Sequence, residues 1–267
     1  MDYEQILYTV EDGIATITLN RPDKRNAVTR QMAREVKGAI EEARNDPSVR
    51  VLVFTAAGKT FCGGVDLVER EKGQAVTMPP EGSVLQSLAG GLEWALRHFY
   101  KPTVAVVNGP AIGMGCDLAL MADFRIASEK ASFAESYVRL GMLPSAGAWL
   151  LPRIVGLTRA NQILLLGEPF DAKQAHEWGV VYKIVPHDDL QEEGRAFAAE
   201  LAAQSPTSMQ FLKEAIWLGL NTDLESILRH ITYGRTCLEL SEDYQEGVRA
   251  FLQKRAPKYT GRRRKLQ

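Results

Sequence analysis

Apolar and polar residues alternate over the first twenty positions of the chain, the pattern of half-buried strands. Residues 6–10 and 14–19 show it on either side of an Asp-Gly pair at 12–13, which is typical of a two-residue hairpin turn. Residues 51–55 and 103–107 are instead continuous apolar runs, as expected of parallel strands buried on both faces. The pattern therefore predicts an opening hairpin followed by two buried strands.

Apolar residues recur at helical spacing between these strands. Thr29 is a good N-cap, and five apolar positions between 32 and 43 follow it before an Asn-Asp-Pro sequence ends the pattern. A second amphipathic helix is predicted over residues 84–96. Residues 69–81 are charged, carry two prolines and show little periodicity, so we interpret them as a mobile loop.

The second half of the chain changes character near residue 200. Short strands are predicted at 124–127 and 180–185, the latter after a helix that Asp171 opens and Gly179 closes. From Pro206 onward the patterns are helical only, over residues 209–220 and 224–252. We therefore predict a core over residues 1–200 and a helical region over 201–267.

Composition excludes several classes of protein. Of 267 residues, 45% are apolar and 24% charged, as in ordinary globular proteins. The 32 basic and 33 acidic residues nearly cancel, so apart from a basic run at 262–265 there is no charge footprint for nucleic acid or anionic membrane. No apolar run reaches the ~18 residues of a membrane span. Three cysteines without paired spacing favour free thiols and a cytoplasmic location.

Two glycine-rich turns, residues 61–67 and 108–117, carry the candidate chemistry. Each follows an apolar strand and leads into a predicted helix, so the N–H groups of Val65 and Met114 have no acceptor within a first helical turn. Two such donors converging on one oxygen form an oxyanion hole, which stabilises negative charge developing on a carbonyl. Asp117, three residues past Met114, lies at the same helix start and could move a proton.

These features also have purely structural interpretations. Glycine is the usual residue where φ is positive, so the turns could be tight strand-to-helix connections without a ligand. Asp117 could serve only to favour the helix dipole. Cys62 and Cys116 are interpreted as small buried fillers, and the four histidines are scattered, so neither a metal site nor a histidine relay is predicted.

Taken together, the ordered motifs of the chain resemble those of the enoyl-CoA hydratase/isomerase family, or crotonase superfamily. The motifs that carry the resemblance are Arg21-Pro22, Asn26-Ala27, the turns at 62–67 and 108–117, Leu140-Gly141 with Pro144, and Phe251 with Lys254, Arg255 and Pro257. The resemblance covers nearly the whole chain. It implies an α/β fold, a crotonase-like spiral of ββα units, with residues 201–267 as a helical trimerisation region.

The resemblance also implies a substrate and a site. The substrate is an acyl-CoA thioester, with coenzyme A as part of the substrate and no separate cofactor. In the family, amides at the positions of Val65 and Met114 hold the thioester oxygen. The residues implied in CoA binding are Arg25, Ala27, Gly63, Asp66, Leu67, Phe251 and Lys254, the last two sometimes across a subunit boundary of a homotrimer or dimer of trimers.

The chain departs from the family pattern at the acid/base residues. Hydratases typically carry glutamates at the positions of Asp117 and Tyr137, and here one is shortened to aspartate and the other is replaced. Hydration needs groups to orient and deprotonate water, whereas a double-bond shift needs one carboxylate. Tyr137 could take part or only pack. Glu135, two residues earlier, could replace the missing carboxylate if the local backbone were shifted, and in an extended strand the two side chains would share a face. Ser145 stands where some isomerases carry an aspartate.

The sequence thus predicts an enzyme that hydrates an enoyl-CoA or shifts its double bond, with Asp117, Tyr137, Val65 and Met114 as catalytic candidates. Three alternatives stay open. The chain could be a specialised isomerase or thioester hydrolase of a ring-derived acyl-CoA, a non-catalytic acyl-CoA binder, or an RNA-binding relative. The near-neutral charge makes binding to nucleic acid the least favoured of these.

Overall fold

A six-stranded sheet lies at the centre of the computed structural model, which describes residues 3–72 and 91–262. Its strands, from one edge to the other, are β1 (Ile6–Glu11), β2 (Ile14–Leu19), β3 (Val51–Ala56), β4 (Thr103–Val107), β6 (Phe124–Ser128) and β9 (Lys183–Val185). β1 and β2 are antiparallel, and each later neighbour is parallel. A smaller sheet contains β5 (Ala111–Ile112), β7 (Ser132–Ala134) and β8 (Phe170–Asp171).

The opening hairpin forms as the sequence predicts. Glu11 pairs with Ile14, which leaves Asp12 and Gly13 as a two-residue turn with φ of 51° and 79°. Both values lie in the left-handed region that such a turn requires. The hairpin orients β2 so that β3 pairs parallel to it, with Ile14 opposite Val51.

Helices cover the sheets and form the end of the described chain. Their bounds are α1 (Arg30–Asn45), α2 (Leu67–Lys72), α3 (Leu92–Arg97), α4 (Met114–Met121), α5 (Gly147–Leu166), α6 (Ala172–Glu177), α7 (Leu190–Ala202), α8 (Pro206–Gly219), α9 (Leu224–Glu239) and α10 (Glu242–Leu252). Short 3₁₀ turns occupy Pro22–Lys24, Ser136–Leu140 and His187–Asp189. No helix within these described ranges is long and apolar enough to cross a bilayer.

Helix α1 shows how the pattern becomes structure. The Thr29 hydroxyl accepts a hydrogen bond from the Met32 amide at 3.0 Å, which caps the first turn. The predicted apolar stripe is fully buried, and it consists of Met32, Val36, Ala39, Ile40 and Ala43. It packs against the opening hairpin, and burial of such a stripe supplies most of a helix's stability in a protein.

Three sequence predictions need correction. Residues 69–72 belong to α2 and not to a loop, because the Asp66 carboxylate accepts from the Glu69 amide at 3.1 Å at the helix start. Residues 73–81 of that predicted loop, and residues 84–90 of the predicted second helix, lie outside the described residues. The strand predicted at 180–185 begins only at Lys183, since the two amides at 180 and 181 donate to Ala175 at the end of α6.

The third correction concerns the end of the chain. The helical pattern over 224–252 is two helices, because the Ser241 hydroxyl accepts from the Tyr244 amide at 3.1 Å and starts α10 afresh. After Val185 the described chain contains helices and connections only. The C-terminal part is therefore helical, as predicted.

Candidate active site

The two glycine-rich turns lie directly against each other. The Cys62 amide donates to the Pro110 carbonyl at 3.1 Å, and the Ile112 amide donates to the Cys62 carbonyl at 2.9 Å. A Cβ added to Gly115 would lie 2.4 Å from that same carbonyl oxygen, so a side chain at 115 would force the turns apart. Glycine is needed here for the close backbone approach.

Val65 presents its amide away from its neighbouring segment. Val28 donates to the Gly64 carbonyl at 2.7 Å and accepts from the Asp66 amide at 2.9 Å, which forms an isolated parallel bridge. Because polar groups of successive residues alternate in direction along an extended segment, the Val65 N–H points away from Val28. It makes no hydrogen bond within the described part of the chain.

Met114 presents its amide at the start of α4. Gly113 precedes it with φ 52° and ψ −116°, a conformation that favours glycine, and its amide donates to Ala134 at 2.7 Å. The first backbone bond of the helix runs from the Asp117 amide to the Gly113 carbonyl at 2.9 Å. The Met114 N–H is thus one of the helix-start donors without an acceptor inside the helix.

Asp117 is a fully buried carboxyl group surrounded by donors. Its Oδ2 accepts from the Tyr137 hydroxyl at 2.6 Å and from the Ser145 hydroxyl at 2.9 Å. Its Oδ1 accepts from the Gly147 amide at the start of α5. These donors hold the side chain in one orientation, and donors of this kind favour the ionised form.

Burial opposes that effect. Removal from water raises the pKa of Asp117, while the hydrogen bonds from Tyr137, Gly147 and Ser145 lower it, and the net pKa is above the ordinary aspartate value. The same burial, together with the charge of Asp117, raises the pKa of Tyr137, so that its hydroxyl keeps its proton and acts as a donor. A raised carboxyl pKa brings a proton acceptor closer to neutral pH.

Tyr137 lies in the 3₁₀ turn Ser136–Leu140, which ends at Gly141 with φ 65°. Its ring is 3.6 Å from the position of a Cβ at Gly113, and the side chain is buried. The ring therefore packs over the turn that leads to Met114 while its hydroxyl reaches Asp117. The structure thus brings three of the four catalytic candidates together around the second turn, namely Met114, Asp117 and Tyr137.

Glu135 does not share a strand face with Tyr137, and that expectation is wrong. The segment after Glu135 is a 3₁₀ turn and not a strand, so the alternation of side chains does not apply. Glu135 is 1% exposed, and neither carboxyl oxygen has a hydrogen-bond partner among the described residues. Burial and the neighbouring Asp117 charge raise its pKa to about 9, so Glu135 is neutral at pH 7.

Several predicted CoA-binding residues are brought together on one side of the first turn. The Gly63 amide donates to the Arg25 carbonyl at 2.8 Å. Arg21 donates to the Ala27 carbonyl at 2.6 Å and to the Asp66 carboxylate at 3.1 Å.

Buried Asn26, with φ 52°, fixes this arrangement by donating to the carbonyls at positions 57 and 60. Leu67 begins α2 beside them and is half exposed.

Phe251 and Lys254 are not brought into this group within one chain. Phe251 lies near the end of α10 and is 83% exposed. In the described ranges, no hydrogen bond joins either residue to the segments around Arg25 and Gly63. Their role in CoA binding stays a prediction.

Sequence reasoning missed the groups that link Asp117 to α3. The Ser145 hydroxyl lies 2.9 Å from Asp117 Oδ2 and also 2.7 Å from Glu93 Oε1. In the sequence, Ser145 stands out only as the position of an absent aspartate, and Glu93 is an ordinary polar residue in an amphipathic pattern. No sequence signal marks Glu93, because its importance comes from the packing of α3 beside the loop before α5.

Comparisons with known proteins show the family to which the chain belongs. The enoyl-CoA hydratase/isomerase family model matches residues 9–262. The 1,2-epoxyphenylacetyl-CoA isomerase of Escherichia coli K12 is 36% identical and covers 97% of this chain and 99% of its own length. The 2,3-dehydroadipyl-CoA hydratase of the same organism is 35% identical, with the same coverage. A crystal structure of an enoyl-CoA hydratase/isomerase from Mycobacterium paratuberculosis matches with a TM-score of 0.89 at 33% identity, covering 98% and 100%.

The family model and these relatives thus show an acyl-CoA enzyme. The chain belongs to the enoyl-CoA hydratase/isomerase family, the crotonase superfamily. The predicted α/β fold with C-terminal helices and the predicted hydratase/isomerase class are both confirmed. The isomerase and the hydratase have similar sequence identity to this chain. The reaction that this chain catalyses therefore has to be argued from its own residues.

Proposed function

We propose that the protein shifts a carbon–carbon double bond along the acyl chain of an enoyl-CoA thioester. Asp117 removes a proton from one carbon and returns it to another. The amides of Val65 and Met114 hold the thioester oxygen while it carries the negative charge of the enolate. Such donors are most effective where the charge develops in a water-poor site.

One hydrogen bond carries this choice over hydration: the Tyr137 hydroxyl donates to Asp117 Oδ2 at 2.6 Å. Tyr137 stands where hydratases of the family typically have a second glutamate. That position therefore supplies a donor to the first carboxylate instead of a second base for water. Glu135 does not fill the gap, because it is buried and neutral at pH 7.

The proton and electron balance of this reaction needs no other reactant. When Asp117 takes the proton, the electron pair of the broken C–H bond moves into the conjugated system, and the thioester oxygen gains the charge. When the proton returns to the other carbon, the carbonyl re-forms and the double bond has moved. One carboxylate serves as base and then as acid, as general acid–base catalysis requires.

We further infer that CoA binds beside Arg25, Ala27, Gly63, Asp66 and Leu67. The contacts between the Arg25 segment and the Gly63 turn support this surface. Phe251 and Lys254 would join it from a neighbouring subunit, since neither is hydrogen-bonded to it within the described part of one chain.

A homotrimer, or a dimer of trimers, built through residues 201–267 fits the exposed apolar surface of the C-terminal helices. On α8 and α9 the exposed large apolar residues are Leu212, Ile216, Leu224, Leu228, Ile231 and Tyr233. Large exposed apolar residues concentrated on two helices are expected at an interaction site.

The three cysteines are free thiols, which supports a cytoplasmic location.

Isotope labelling tests the proposed reaction. The enzyme is incubated separately with crotonyl-CoA and with a 3-enoyl-CoA, in deuterium oxide and in ¹⁸O-labelled water. We expect movement of the double bond without solvent oxygen in the product, and deuterium at the α or γ carbon only to the extent that the proton on Asp117 exchanges with solvent before it returns. A 3-hydroxyacyl-CoA that contains ¹⁸O would overturn the proposal and establish a hydratase.

A further inference from the structure

Two tryptophans stack where α5 and α8 meet. The ring centroids of Trp149 and Trp217 lie 5.1 Å apart, with 16° between the ring planes. Aromatic pairs at this separation attract each other beyond the effect of the area that they bury. Both side chains are half-buried and pack against the main hydrophobic core. The pair therefore fastens the beginning of α5 to the C-terminal helices.

Each of these rings also contacts a guanidinium group. Arg153 Cζ lies 4.5 Å from the centroid of the Trp149 ring, and Arg97 Cζ lies 5.0 Å from that of Trp217. A cation within about 6 Å of a ring centroid is attracted by the negative face of the ring. Because Arg97 belongs to α3, the stack joins three helices, namely α3, α5 and α8.

The same end of α5 holds the proposed base. Trp149 lies two residues after Gly147, whose amide donates to Asp117 Oδ1. Two residues before Gly147, the Ser145 hydroxyl donates to Asp117 Oδ2 at 2.9 Å. Asp117 itself belongs to α4. The orientation of its carboxylate therefore depends on where the first turn of α5 is held.

The first turn of α5 is confined on two sides. Gly147 is buried, and a Cβ added to it would lie 2.7 Å from Glu135 Oε1, so the backbone cannot move further in that direction. Successive residues of an α-helix are separated by about 100°, which places Trp149 on roughly the opposite side of α5 from Gly147. Glu135 therefore confines one side of the turn, and Trp217 confines the other.

We propose that Trp217 is a positioning residue, which by its stack on Trp149 holds the first turn of α5 against Asp117 and keeps the Gly147 donor on this carboxylate. The inference rests on the proposed function, in which Asp117 moves the substrate proton. Without the stack, the turn is free to move away from Asp117, and the hydrogen bond from Gly147 weakens. A base that is displaced in this way loses its alignment with the reacting carbon.

Loss of the stack has a consequence that loss of a merely stabilising contact lacks. The hydrogen bond from Gly147 lowers the pKa of Asp117, so its weakening raises that pKa. Asp117 must be ionised to accept a proton. The acidic limb of kcat/KM therefore moves to higher pH when Trp217 no longer stacks.

Other titratable groups also face Asp117 in the part of the chain that the structure describes. They are Cys116 on its own helix, Glu135 and Tyr137 beside it, and Glu93 through the Ser145 hydroxyl. A change at Trp217 replaces none of them. A shift of the acidic limb therefore reports the position of α5.

The test compares Trp217→Leu with wild type, using a 3-enoyl-CoA as substrate. Leucine keeps an apolar side chain but cannot stack. We expect kcat to fall by about 10–100-fold, KM to change far less, and the acidic limb of kcat/KM to move to higher pH. Trp217→Phe keeps a ring that can stack and should stay closer to wild type in all three quantities.

Trp178→Leu is the matched control. Trp178 is also half-buried, its ring centroid lies 4.2 Å from Arg159 Cζ and 5.2 Å from the Phe170 ring, and it directly follows α6. Its loss should lower stability and leave the acidic limb in place. An equal shift in Trp178→Leu, or an unmoved limb in Trp217→Leu, would overturn the proposal.

Trp149→Leu breaks the same stack from the side of α5. It leaves α8 unchanged, which matters because Ile216, next to Trp217, lies in the proposed subunit interface. If sedimentation shows that Trp217→Leu alters the mass, the limb of Trp149→Leu decides. The double variant should be no more impaired than the more impaired single variant, because both changes break one contact. Additive losses would contradict the proposal.

Amide hydrogen exchange gives a measurement that needs no substrate. In peptides that contain Gly147, we expect faster exchange in Trp217→Leu than in wild type and no change in Trp178→Leu. Unchanged exchange in Trp217→Leu would also overturn the proposal. If exchange rises but wild type does not move the double bond of an enoyl-CoA, the positioning of α5 stands and the proposed function fails.

Discussion

Tyr137 donates its hydroxyl to Asp117 Oδ2 over 2.6 Å, and this bond joins the start of α4 to the 3₁₀ turn that covers it. The two residues are twenty positions apart in sequence. Their contact places a phenol donor where hydratases of the family typically have a carboxylate, and in the reaction we propose Asp117 moves the proton.

Asp117→Asn tests the proton-handling role directly. The amide keeps the size of the side chain but cannot accept a proton, so we expect kcat to fall by about 100-fold or more. Steady-state kinetics with a 3-enoyl-CoA measure the change, and circular dichroism checks that the variant folds. Near-normal turnover would assign proton transfer to another residue.

Tyr137→Phe should shift the pH dependence of activity. Asp117 must be ionised to accept a proton, so kcat/KM falls as the pH falls through the pKa of Asp117. The Tyr137 hydrogen bond lowers that pKa, and its removal therefore raises the pKa and moves the acidic limb to higher pH.

The matched control for that shift is Tyr182→Phe, which removes an exposed hydroxyl just before β9, away from the site and from the proposed subunit interface. Profiles of kcat/KM against pH are recorded for both variants and for wild type. If the limb of Tyr137→Phe coincides with that of wild type, Tyr137 is a packing residue only.

Met114→Pro removes the proposed oxyanion donor with little change to the helix. Met114 is the first residue of α4, and proline is well tolerated at this position because its N–H has no helical acceptor. We expect kcat to fall by about 10²–10³-fold, the usual effect of losing one oxyanion-hole donor. Met114→Ala keeps the amide and should stay close to wild type. Equal activities in the two variants would refute the assignment.

Local sequence rules predicted the elements that they govern. The Asp12-Gly13 turn, the Thr29 cap and the buried stripe of α1 each depend on neighbours within a few positions. The rules failed where two local signals competed, as at Ser241, whose cap interrupts a continuous helical pattern. The helical segment Gly147–Leu166 is also absent from the sequence prediction. Pro152 lies within it, and Gly156, with φ 74° and ψ 165°, divides it into two helical parts.

The residues of the candidate site show the same difference between local sequence signals and contacts made by distant segments. Val65, Met114 and Asp117 could be proposed because each lies within one glycine-rich turn. The Tyr137–Asp117 bond and the Glu93–Ser145 contact join segments 20 and 52 residues apart, and only the packing of the helices brings them together. Glu135 shows the reverse error, since an assumed strand gave its side chain a direction that the 3₁₀ turn does not allow.

Ile216→Glu tests the proposed assembly. Ile216 is 64% exposed on α8, and a charge there would oppose burial in a subunit interface. We expect the variant to dissociate in analytical ultracentrifugation and, if Phe251 and Lys254 reach CoA across subunits, its KM to rise. Leu7→Glu, an exposed position on the edge strand β1, should leave the mass unchanged. A wild-type monomer would contradict the proposal.

Glu135→Gln should change how stability depends on pH. Glu135 ionises near 4.5 when unfolded and only near pH 9 when folded. Between these values the unfolded chain has lost a proton that the folded chain keeps, so rising pH favours unfolding of wild type. Glutamine does not titrate and removes this loss. The free energy of unfolding of wild type should therefore fall relative to the variant as the pH rises, by on the order of 3 kcal/mol at pH 7.

Urea unfolding from pH 5 to pH 8 at one protein concentration measures this difference in the free energy of unfolding, with Glu129→Gln as the exposed control. Parallel curves for wild type and Glu135→Gln would mean that Glu135 is ionised in the folded protein and that its charge is compensated.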